Sequence, residues 1–351
     1  MKKIMFCGGG SAGHVIPNFA IMHALQGRYE VEYMGTDGIE SALCRGEGIK
    51  FFTFAAPKFV RGKICENLAI PFRLKKSVAC ARDILLKEKP SVLFCKGGYV
   101  SLPPALAAKK LGIPVIAHES DFTPGLANKI ISRFAEVTLT SFPETAEKFA
   151  RGRYAGAPIR KEACKGGRAR AMEKFGLDAR PTVIVFGGGS GSAAISAALR
   201  QVIPQICAEY NVLHICGRGN KIESAVHGYV QIEFERDMGA VYACADCAVA
   251  RSGSNSAFEL MANRIPTLFI PLENRATRGD QLKNAQYFAG AGLCRILRQR
   301  ELTPEKLKDG IFALMNDREI KRALSGYNFP RGNEKIAAEI ERVAIHGKSR
   351  K

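Results

Sequence analysis

Short apolar runs rich in β-branched and aromatic residues alternate along the chain with longer segments of helical periodicity. Strands that alternate with helices form parallel sheets covered on both faces. The runs fall into two series, which predicts an α/β protein with two sheets and two domains. The predicted strands are residues 3–7, 31–34, 51–54, 92–94, 115–117 and 137–140 in the first series, and 182–186, 212–215, 230–232, 247–249, 267–269 and 294–296 in the second.

The stretch between the two series, residues 156–170, is rich in glycine, proline and positive charge, which is typical of a linker. We therefore place the domain boundary at Arg160. This gives a first domain of residues 1–160 and a second domain of residues 161–332.

The tail, residues 333–345, has the periodicity of an amphipathic helix that starts at Asn333 and stops at Gly347. Its apolar stripe must pack on another element, and the first domain is one candidate surface. The stripe consists of Ile336, Ile340 and Val343.

Each predicted domain opens with a strand, a glycine-rich turn and a helix. The two turns are residues 7–13 and residues 186–192. Glycine lets backbone come close to a phosphate and aims amide groups at it from a helix N-terminus. Either turn alone is equally consistent with a tight connection that binds nothing. Two such turns in one chain favour two domains facing across a ligand-binding cleft.

Composition narrows the class of protein. An apolar fraction of 46% can fill two cores, and a net charge of +19 with pI near 9.6 indicates anionic partners. These are nucleic acid, acidic phospholipid or phosphorylated small molecules. Zinc-finger spacing, paired aromatic strands and tryptophan are absent from the sequence, which weakens nucleic acid as the partner.

Cysteine usage and apolar run lengths indicate where the protein works. The eleven cysteines are odd in number and scattered through apolar stretches, which is typical of buried thiols in a reducing compartment. Cys244 and Cys247 have metal-like spacing but no second pair of ligands, so we interpret them as structural. No run approaches the roughly eighteen apolar residues that span a bilayer, so we expect neither a signal peptide nor a membrane anchor.

Seven motifs stand in one order along the chain: residues 8–17, 97–101 and 118–129 in the first domain, residues 156–160 at the boundary, and residues 237–238, 251–259 and 281–285 in the second domain. Together they resemble the MurG-type N-acetylglucosaminyltransferases of peptidoglycan synthesis. That family has two Rossmann-like domains in the GT-B glycosyltransferase fold. The resemblance covers nearly the whole chain.

Several positions depart from the family pattern. Ser11 and Ala12 stand where the family has Thr and Gly, and Gly189 stands at the usual phosphate-contacting Ser. Whether Ser190 takes over that role stays open. In addition, Ser120-Asp121 replaces a frequent Gln-Asn, and Asp280 precedes Gln281 where His or Gln is common.

The resemblance implies an inverting transfer of N-acetylglucosamine from UDP-N-acetylglucosamine to the 4-hydroxyl of undecaprenyl-diphosphate N-acetylmuramyl-pentapeptide. It implies that the first domain takes the acceptor and docks on the membrane, and that the second binds the donor. The implied donor-binding residues are Ser11, Ala12, Gly13, Asp121, Arg160, Ser190, Glu235 through its backbone, Ser254, Asn255, Ser256, Glu259 and Gln281. The implied acceptor-side residues are Gly97, Gly98, Tyr99 and Asn128.

The diphosphate leaving group needs its charge stabilised. The sequence has no Asp-x-Asp pair suited to a divalent ion, so helix N-termini, glycine-loop amides and Arg160 are the expected stabilisers. We expect neither a metal nor a cofactor. Glu259 suits two ribose hydroxyls, although outside this motif a solvated surface Glu would be the better interpretation. Arg251 fits a phosphate ligand and a structural ion-pair partner equally well, so it is left out of the donor set.

Two residues are candidate general bases. His14 follows the first glycine loop at a helix start, where a neutral imidazole can accept a proton. Glu119 lies at the end of a predicted strand, where ligands gather in parallel sheets. We favour His14 and keep Glu119 as the alternative. A lone His is usually structural, and the rival role for His14 is to orient phosphate or acceptor.

Residues 58–76 carry six basic side chains against one acidic side chain, with seven large apolar residues among them. An ordinary loop and helix explains this pattern about as well. A lipid-linked acceptor favours peripheral docking on the anionic, cytoplasmic face of the cell membrane. The basic residues are Lys58, Arg61, Lys63, Arg73, Lys75 and Lys76, the acidic one is Glu66, and the apolar residues are Phe59, Val60, Ile64, Leu68, Ile70, Phe72 and Leu74.

Three other functions compete with this hypothesis. Another GT-B lipid glycosyltransferase or an epimerase fits the fold, but the motifs at Gly97 and His118 argue against both. A nicotinamide-dependent oxidoreductase needs an acidic residue after the second strand, and Asp37 lies near that place. A non-catalytic basic module would bind nucleic acid with steep salt dependence; we expect no nucleic-acid partner.

Overall fold

The computed structural model describes residues 1–57, 67–189, 191–273 and 279–346. The chain divides into two compact units. Unit 1 contains the chain up to Ile159 and again from Pro330 onward, and unit 2 is Arg160–Phe329. Each unit has its own parallel sheet with helices, which confirms the predicted α/β fold class.

Unit 1 is built on a seven-stranded parallel sheet with the order β3-β2-β1-β4-β5-β6-β7. The last strand was not predicted, because it has only three residues, two of them exposed and polar or aromatic. The strands are β1 Lys3–Cys7, β2 Glu30–Gly35, β3 Lys50–Thr53, β4 Val92–Cys95, β5 Val115–Glu119, β6 Val137–Thr140 and β7 Gly152–Tyr154.

Helices cover both faces of this sheet, because successive residues of a strand point to opposite sides. On β1, Ile4 and Phe6 enter one buried cluster, while Met5 and Cys7 enter the other. The described helices of unit 1 are α1 Ile16–Leu25, α2 Ile39–Gly46, α3 Ile70–Glu88, α4 Leu102–Lys110, α5 Leu126–Ile131, α6 Pro143–Ala146 and α14 Asn333–His346.

The C-terminal helix α14 belongs to unit 1 although it follows unit 2 in the chain. Its stripe of Ile336, Ile340 and Val343 is buried in the same cluster as Ile4 and Phe6. Asn333 fixes its start, since its side chain accepts from the Ile159 amide at 2.8 Å and donates to the Ile159 carbonyl at 2.7 Å. The predicted stop, Gly347, lies outside the described residues.

Unit 2 is built on a six-stranded parallel sheet with the order β10-β9-β8-β11-β12-β13. Its strands are β8 Thr182–Phe186, β9 Asn211–Ile215, β10 Tyr229–Ile232, β11 Cys247–Ala250, β12 Thr267–Phe269 and β13 Cys294–Ile296. Its described helices are α7 Arg168–Phe175, α8 Ala193–Cys207, α9 Met238–Cys244, α10 Ser254–Ala262, α11 Asp280–Gly290, α12 Pro304–Met315 and α13 Arg318–Gly326.

The strand order reverses between β1 and β4 in unit 1 and between β8 and β11 in unit 2. In open parallel sheets, ligands bind at the carboxyl ends of the strands beside such a reversal. The glycine turns follow β1 and β8, and further predicted motifs follow β4 and β11. The fold therefore brings the glycine turn and one further motif of each unit to that unit's own switch point.

Within the described part of the chain, no helix has the length and apolarity needed to cross a membrane.

Candidate functional site

The glycine loop after β1 is shaped by close contacts that only glycine permits. Gly10 has φ 81°, and a Cβ there would lie 2.6 Å from Cε1 of Tyr99. Gly98 has φ 76°, and its Cβ would lie 3.1 Å from Cδ2 of His14. The half-buried His14 imidazole therefore rests against the Gly98 backbone. The structure thus brings the base candidate and the acceptor-side turn together.

A buried carboxylate, Glu40 on α2, holds the same loop and was missed by sequence reasoning. Glu40 accepts from the Gly10 amide at 3.2 Å, from the Thr36 amide at 3.0 Å and from the Thr36 hydroxyl. The Gly10 amide is therefore already bonded to a side chain of the protein itself. Asp37, the residue of the oxidoreductase alternative, has a side chain that is 73% exposed and contacts Arg45.

Three predicted donor-binding residues, Ser11, Ala12 and Gly13, lie between Gly10 and α1. Ser11 is exposed, and the turn Ala12–His14 is a short 3₁₀ helix that leads into α1. Gly13 is half-buried within that turn. The fold thus presents these residues beside His14.

Glu119, the alternative base, has both carboxylate oxygens engaged. Oε1 accepts from the Asp121 amide at 3.1 Å, and Oε2 accepts from the Gly125 amide at 2.8 Å and from Nδ2 of Asn128 at 2.9 Å. Burial, helped by Asp121, raises the pKa of Glu119. This side chain therefore ties together the loop that leads into α5.

Asn128 links that loop to the acceptor-side glycines. Its Nδ2 also donates to the His118 carbonyl at 3.0 Å, and a Cβ at Gly97 would lie 3.0 Å from the same nitrogen. Gly97 has φ 88°, so a larger residue would be strained there. Asp121 is half-buried in the same loop.

Lys96 is a buried lysine directly before Gly97, and sequence reasoning also missed it. Its side chain is 1% exposed; Nζ donates to Ser120 Oγ at 2.6 Å and lies 2.8 Å from Nδ1 of His118. Burial lowers the pKa of Lys96 to about 7. Burial, and then Lys96, lower the pKa of His118 well below its usual value, so this imidazole stays neutral.

In unit 2, Glu259 projects from α10 into a half-buried position. Its Oε2 accepts from the Tyr242 hydroxyl at 2.8 Å, and its Oε1 lies 3.8 Å from Nη2 of Arg160. Burial raises the pKa of Glu259, while Arg160 and the Tyr242 hydrogen bond oppose that rise. Arg160 also has a buried Nε with no hydrogen-bond partner among the described residues. A carboxylate and a guanidinium thus stand side by side.

The helix N-terminus at α10 carries three of the predicted donor residues. Ser254 is buried, and Asn255 and Ser256 are half-buried in its first turn. The start of an α-helix presents free amide groups and positive potential, which suit a phosphate.

Arg251, before α10, ties two loops together. Nη1 donates to the Ile270 carbonyl and Nη2 to Ser192 Oγ, both at 2.8 Å. Ser192 in turn caps α8 by accepting from the Ile195 amide at 3.4 Å. Both Nη atoms of Arg251 are thus used within the protein. Ser190, in the same glycine turn, lies outside the described residues.

The two remaining donor candidates use their side chains within the protein. Gln281 Oε1 accepts from the Leu272 amide at 2.9 Å. Glu235 accepts from the Asp237 amide at 2.8 Å and pairs with Lys174 at 2.9 Å. The Glu235 side chain thus folds back on its own loop.

Among the described residues, no group of three or more His, Cys, Asp and Glu side chains is placed to hold a metal ion. Cys244 and Cys247 are fully buried. Burial raises the pKa of Cys244 to about 11 and that of Cys247 to about 12, so both thiols stay protonated at neutral pH.

Two family models match most of this chain. The N-terminal domain of glycosyltransferase family 28 matches residues 4–140, and the family's C-terminal domain matches residues 182–339. The UDP-N-acetylglucosamine--N-acetylmuramyl-(pentapeptide) pyrophosphoryl-undecaprenol N-acetylglucosamine transferase of Clostridium novyi (strain NT) is 39% identical over 90% of this chain and 91% of its own length.

Two further similarities extend over almost the full length. The second transferase of that name from Bacillus cereus (strain ATCC 10987 / NRS 248) is 36% identical over 98% of this chain and 99% of its own. The crystal structure of Acinetobacter baumannii MurG superposes with a TM-score of 0.76 at 25% identity, covering 97% of this chain and 100% of that one.

Proposed function

Because this chain belongs to glycosyltransferase family 28, among the MurG-type N-acetylglucosaminyltransferases, we propose that it transfers N-acetylglucosamine from UDP-N-acetylglucosamine to a lipid-linked acceptor. The acceptor is undecaprenyl-diphosphate N-acetylmuramyl-pentapeptide, and the nucleophile is its 4-hydroxyl. The fold and the enzyme class follow from membership of this family.

The observation that carries the proposal is the arrangement around Glu259. Its carboxylate is held by Tyr242 on one side and faces Arg160 on the other, one helical turn or so beyond the N-terminus of α10. A carboxylate suits ribose hydroxyls, and a helix N-terminus with a guanidinium suits a diphosphate. A nucleoside diphosphate requires these two chemistries side by side.

The ribose, diphosphate and uracil of the donor contact different residues of unit 2. Glu259 accepts from the ribose hydroxyls, and Arg160 with the first turn of α10 stabilises the diphosphate as the bond to the sugar breaks. The backbone at Glu235 contacts the uracil, while Gln281 orders the loop beside the sugar. This charge stabilisation uses side chains and amides, so the proposed reaction needs no divalent metal.

The proton of the acceptor hydroxyl goes to His14. As the hydroxyl oxygen forms its bond to the anomeric carbon, the bond from that carbon to the diphosphate oxygen breaks and UDP leaves with the electron pair. One displacement inverts the anomeric carbon and leaves no sugar on the enzyme. His14 is favoured over Glu119 because both oxygens of Glu119 already accept hydrogen bonds.

A lipid-linked acceptor requires that the enzyme contact a membrane surface, and the segment from Leu68 into the first turns of α3 is suited to that contact. Leu68 and Phe72 are 74% and 77% exposed, and three basic side chains on the helix are exposed beside them. Leu74, by contrast, packs on the core of unit 1, as the ordinary-helix interpretation requires. We propose peripheral docking on the cytoplasmic face through Arg73, Lys75 and Lys76; Lys58 to Glu66 of the predicted surface lie outside the described residues.

The test is mass spectrometry of the acceptor after incubation with UDP-N-acetylglucosamine in the presence of a chelator. We expect the acceptor to gain one N-acetylhexosamine, and UDP-glucose to react far more slowly. The proposal would be contradicted if the acceptor stayed unmodified while a control enzyme modified it under the same conditions. It would also be contradicted if the product formed only after a divalent metal was added.

A further inference from the structure

Tyr242 is a buried tyrosine of α9 whose hydroxyl reaches across to α10. It is 4% exposed, and its ring packs on Phe186, at the end of β8, with ring centroids 6.4 Å apart. The hydroxyl donates to Oε2 of Glu259 at 2.8 Å. Burial, helped by Glu259, raises the pKa of this hydroxyl well above its usual value, so it keeps its proton and remains a donor.

A buried hydroxyl needs a partner, so a hydrogen bond alone carries no function. The partner here, however, is the one carboxylate that the donor site needs in a fixed orientation. Rotation about the last side-chain bond of a glutamate is soft, so an unheld carboxylate samples many orientations. Tyr242 occupies Oε2, and this directs Oε1 toward the side that Arg160 faces at 3.8 Å.

The position of Tyr242 in the chain also links two parts of the donor site. Helix α9 begins directly after Asp237, whose Oδ1 accepts from the Ala240 amide at 3.1 Å, and Asp237 in turn donates its amide to Glu235. The loop at Glu235 is the proposed uracil contact. One short helix therefore joins the base-binding loop to the ribose-binding carboxylate.

We propose that Tyr242 is a positioning residue that fixes the Glu259 carboxylate for the ribose hydroxyls of a uridine diphosphate donor. The inference rests on the proposed function, because it assumes that Glu259 binds ribose. It assigns to Tyr242 a selective effect: its hydroxyl strengthens binding of a nucleotide that carries both ribose hydroxyls and does little for one that lacks the 2′-hydroxyl.

The experiment is isothermal titration calorimetry of UDP and 2′-deoxy-UDP with the full-length wild type and with Tyr242→Phe, which keeps the ring contact with Phe186. Tyr229→Phe is the matched control. Tyr229 is also a buried tyrosine of unit 2, but its hydroxyl lies 2.9 Å from His214 Nδ1 instead of reaching Glu259. Thermal unfolding of all three proteins verifies that each is folded.

We expect Tyr242→Phe to weaken UDP binding about tenfold and 2′-deoxy-UDP binding only about two- to threefold, since a hydrogen bond to a charged group is at stake in the first case. Tyr229→Phe should leave both affinities within about twofold. In transfer assays, Tyr242→Phe should raise the donor KM while kcat changes little, which a general loss of folding would not produce.

The outcomes separate the inference from its premise. If the wild type binds UDP better than 2′-deoxy-UDP and Tyr242→Phe keeps that preference in full, the role of Tyr242 is overturned and the proposed function stands. Wild type that binds UDP no better than 2′-deoxy-UDP would remove the ribose role of Glu259 and the inference with it. Wild type that binds no uridine nucleotide would overturn the proposed function itself.

Discussion

Replacing the buried Lys96 by methionine should stabilise the protein in a way that depends on pH. Lys96 titrates at about 7 in the fold against an ordinary value of 10.5, because burial disfavours its charged form. Between these two values the unfolded chain holds one proton more than the folded chain. The free energy of unfolding of the wild type therefore rises with pH across this window.

The magnitude follows from the gap between the two values. The gap of about 3.5 at about 1.36 kcal/mol per pH step corresponds to about 5 kcal/mol across the window, of which about 2.3 kcal/mol falls between pH 7 and 9. Below pH 7 the burial cost of Lys96 is fully present. Lys96→Met removes it and gives up the contacts with His118 and Ser120, about 1 kcal/mol each. The variant should therefore be more stable than wild type near pH 6, and the advantage should vanish toward pH 10.

Urea unfolding followed by far-UV circular dichroism measures this difference; the chain has no tryptophan to report by fluorescence. Buried thiols also titrate at high pH, but they do so in both proteins and cancel in the comparison. Lys110→Met is the control, since Lys110 is an exposed lysine on α4. A stability difference between wild type and Lys96→Met that stays constant from pH 6 to pH 9 would refute the reasoning.

Three further variants test the site. His14→Ala should lower turnover about 100-fold or more with donor affinity nearly unchanged; turnover within a few-fold of wild type, with Glu119→Gln inactive but folded, would move the base to Glu119. Glu259→Ala should weaken donor binding by about 1.5 to 3 kcal/mol. An unchanged donor affinity by calorimetry would contradict the assignment of Glu259 to the ribose. Reversing three charges on α3 should weaken binding to anionic liposomes by about 1 kcal/mol per residue, so less protein should sediment with them, while the rate of transfer to a soluble short-chain acceptor should stay nearly unchanged. Equal liposome binding by this variant and by its control at low salt would place the docking surface elsewhere. The α3 variant reverses Arg73, Lys75 and Lys76, and its matched control reverses the exposed Lys87, Lys109 and Lys110.

Most of the fold could be predicted because its signals are local. The apolar runs that alternate with helical segments fixed twelve of the strands to within about two residues, and β7 escaped because Gly152–Tyr154 is short and mostly exposed. Glycine turns at the ends of β1 and β8 were likewise visible, since strained or crowded backbone selects glycine at those positions.

The contacts that organise the candidate site could not be predicted in the same way. Glu40 lies 30 residues from Gly10, Tyr242 lies 17 from Glu259, and Lys96 lies 24 from Ser120. None of these pairs forms a spacing motif, because each depends on how strands and helices come together. One signal was available: Lys96 is a charge that ends an apolar strand directly before two glycines, where a solvated lysine would be unusual.

The central claim is tested most directly by nuclear magnetic resonance of the product that forms from UDP-N-acetylglucosamine and the lipid-linked acceptor. The donor carries its sugar in the α configuration, so one displacement by the acceptor hydroxyl predicts an N-acetylglucosamine joined in the β configuration to the 4-position of the acceptor. An α linkage, attachment at another hydroxyl, or hydrolysis of the donor without any transfer would contradict the account.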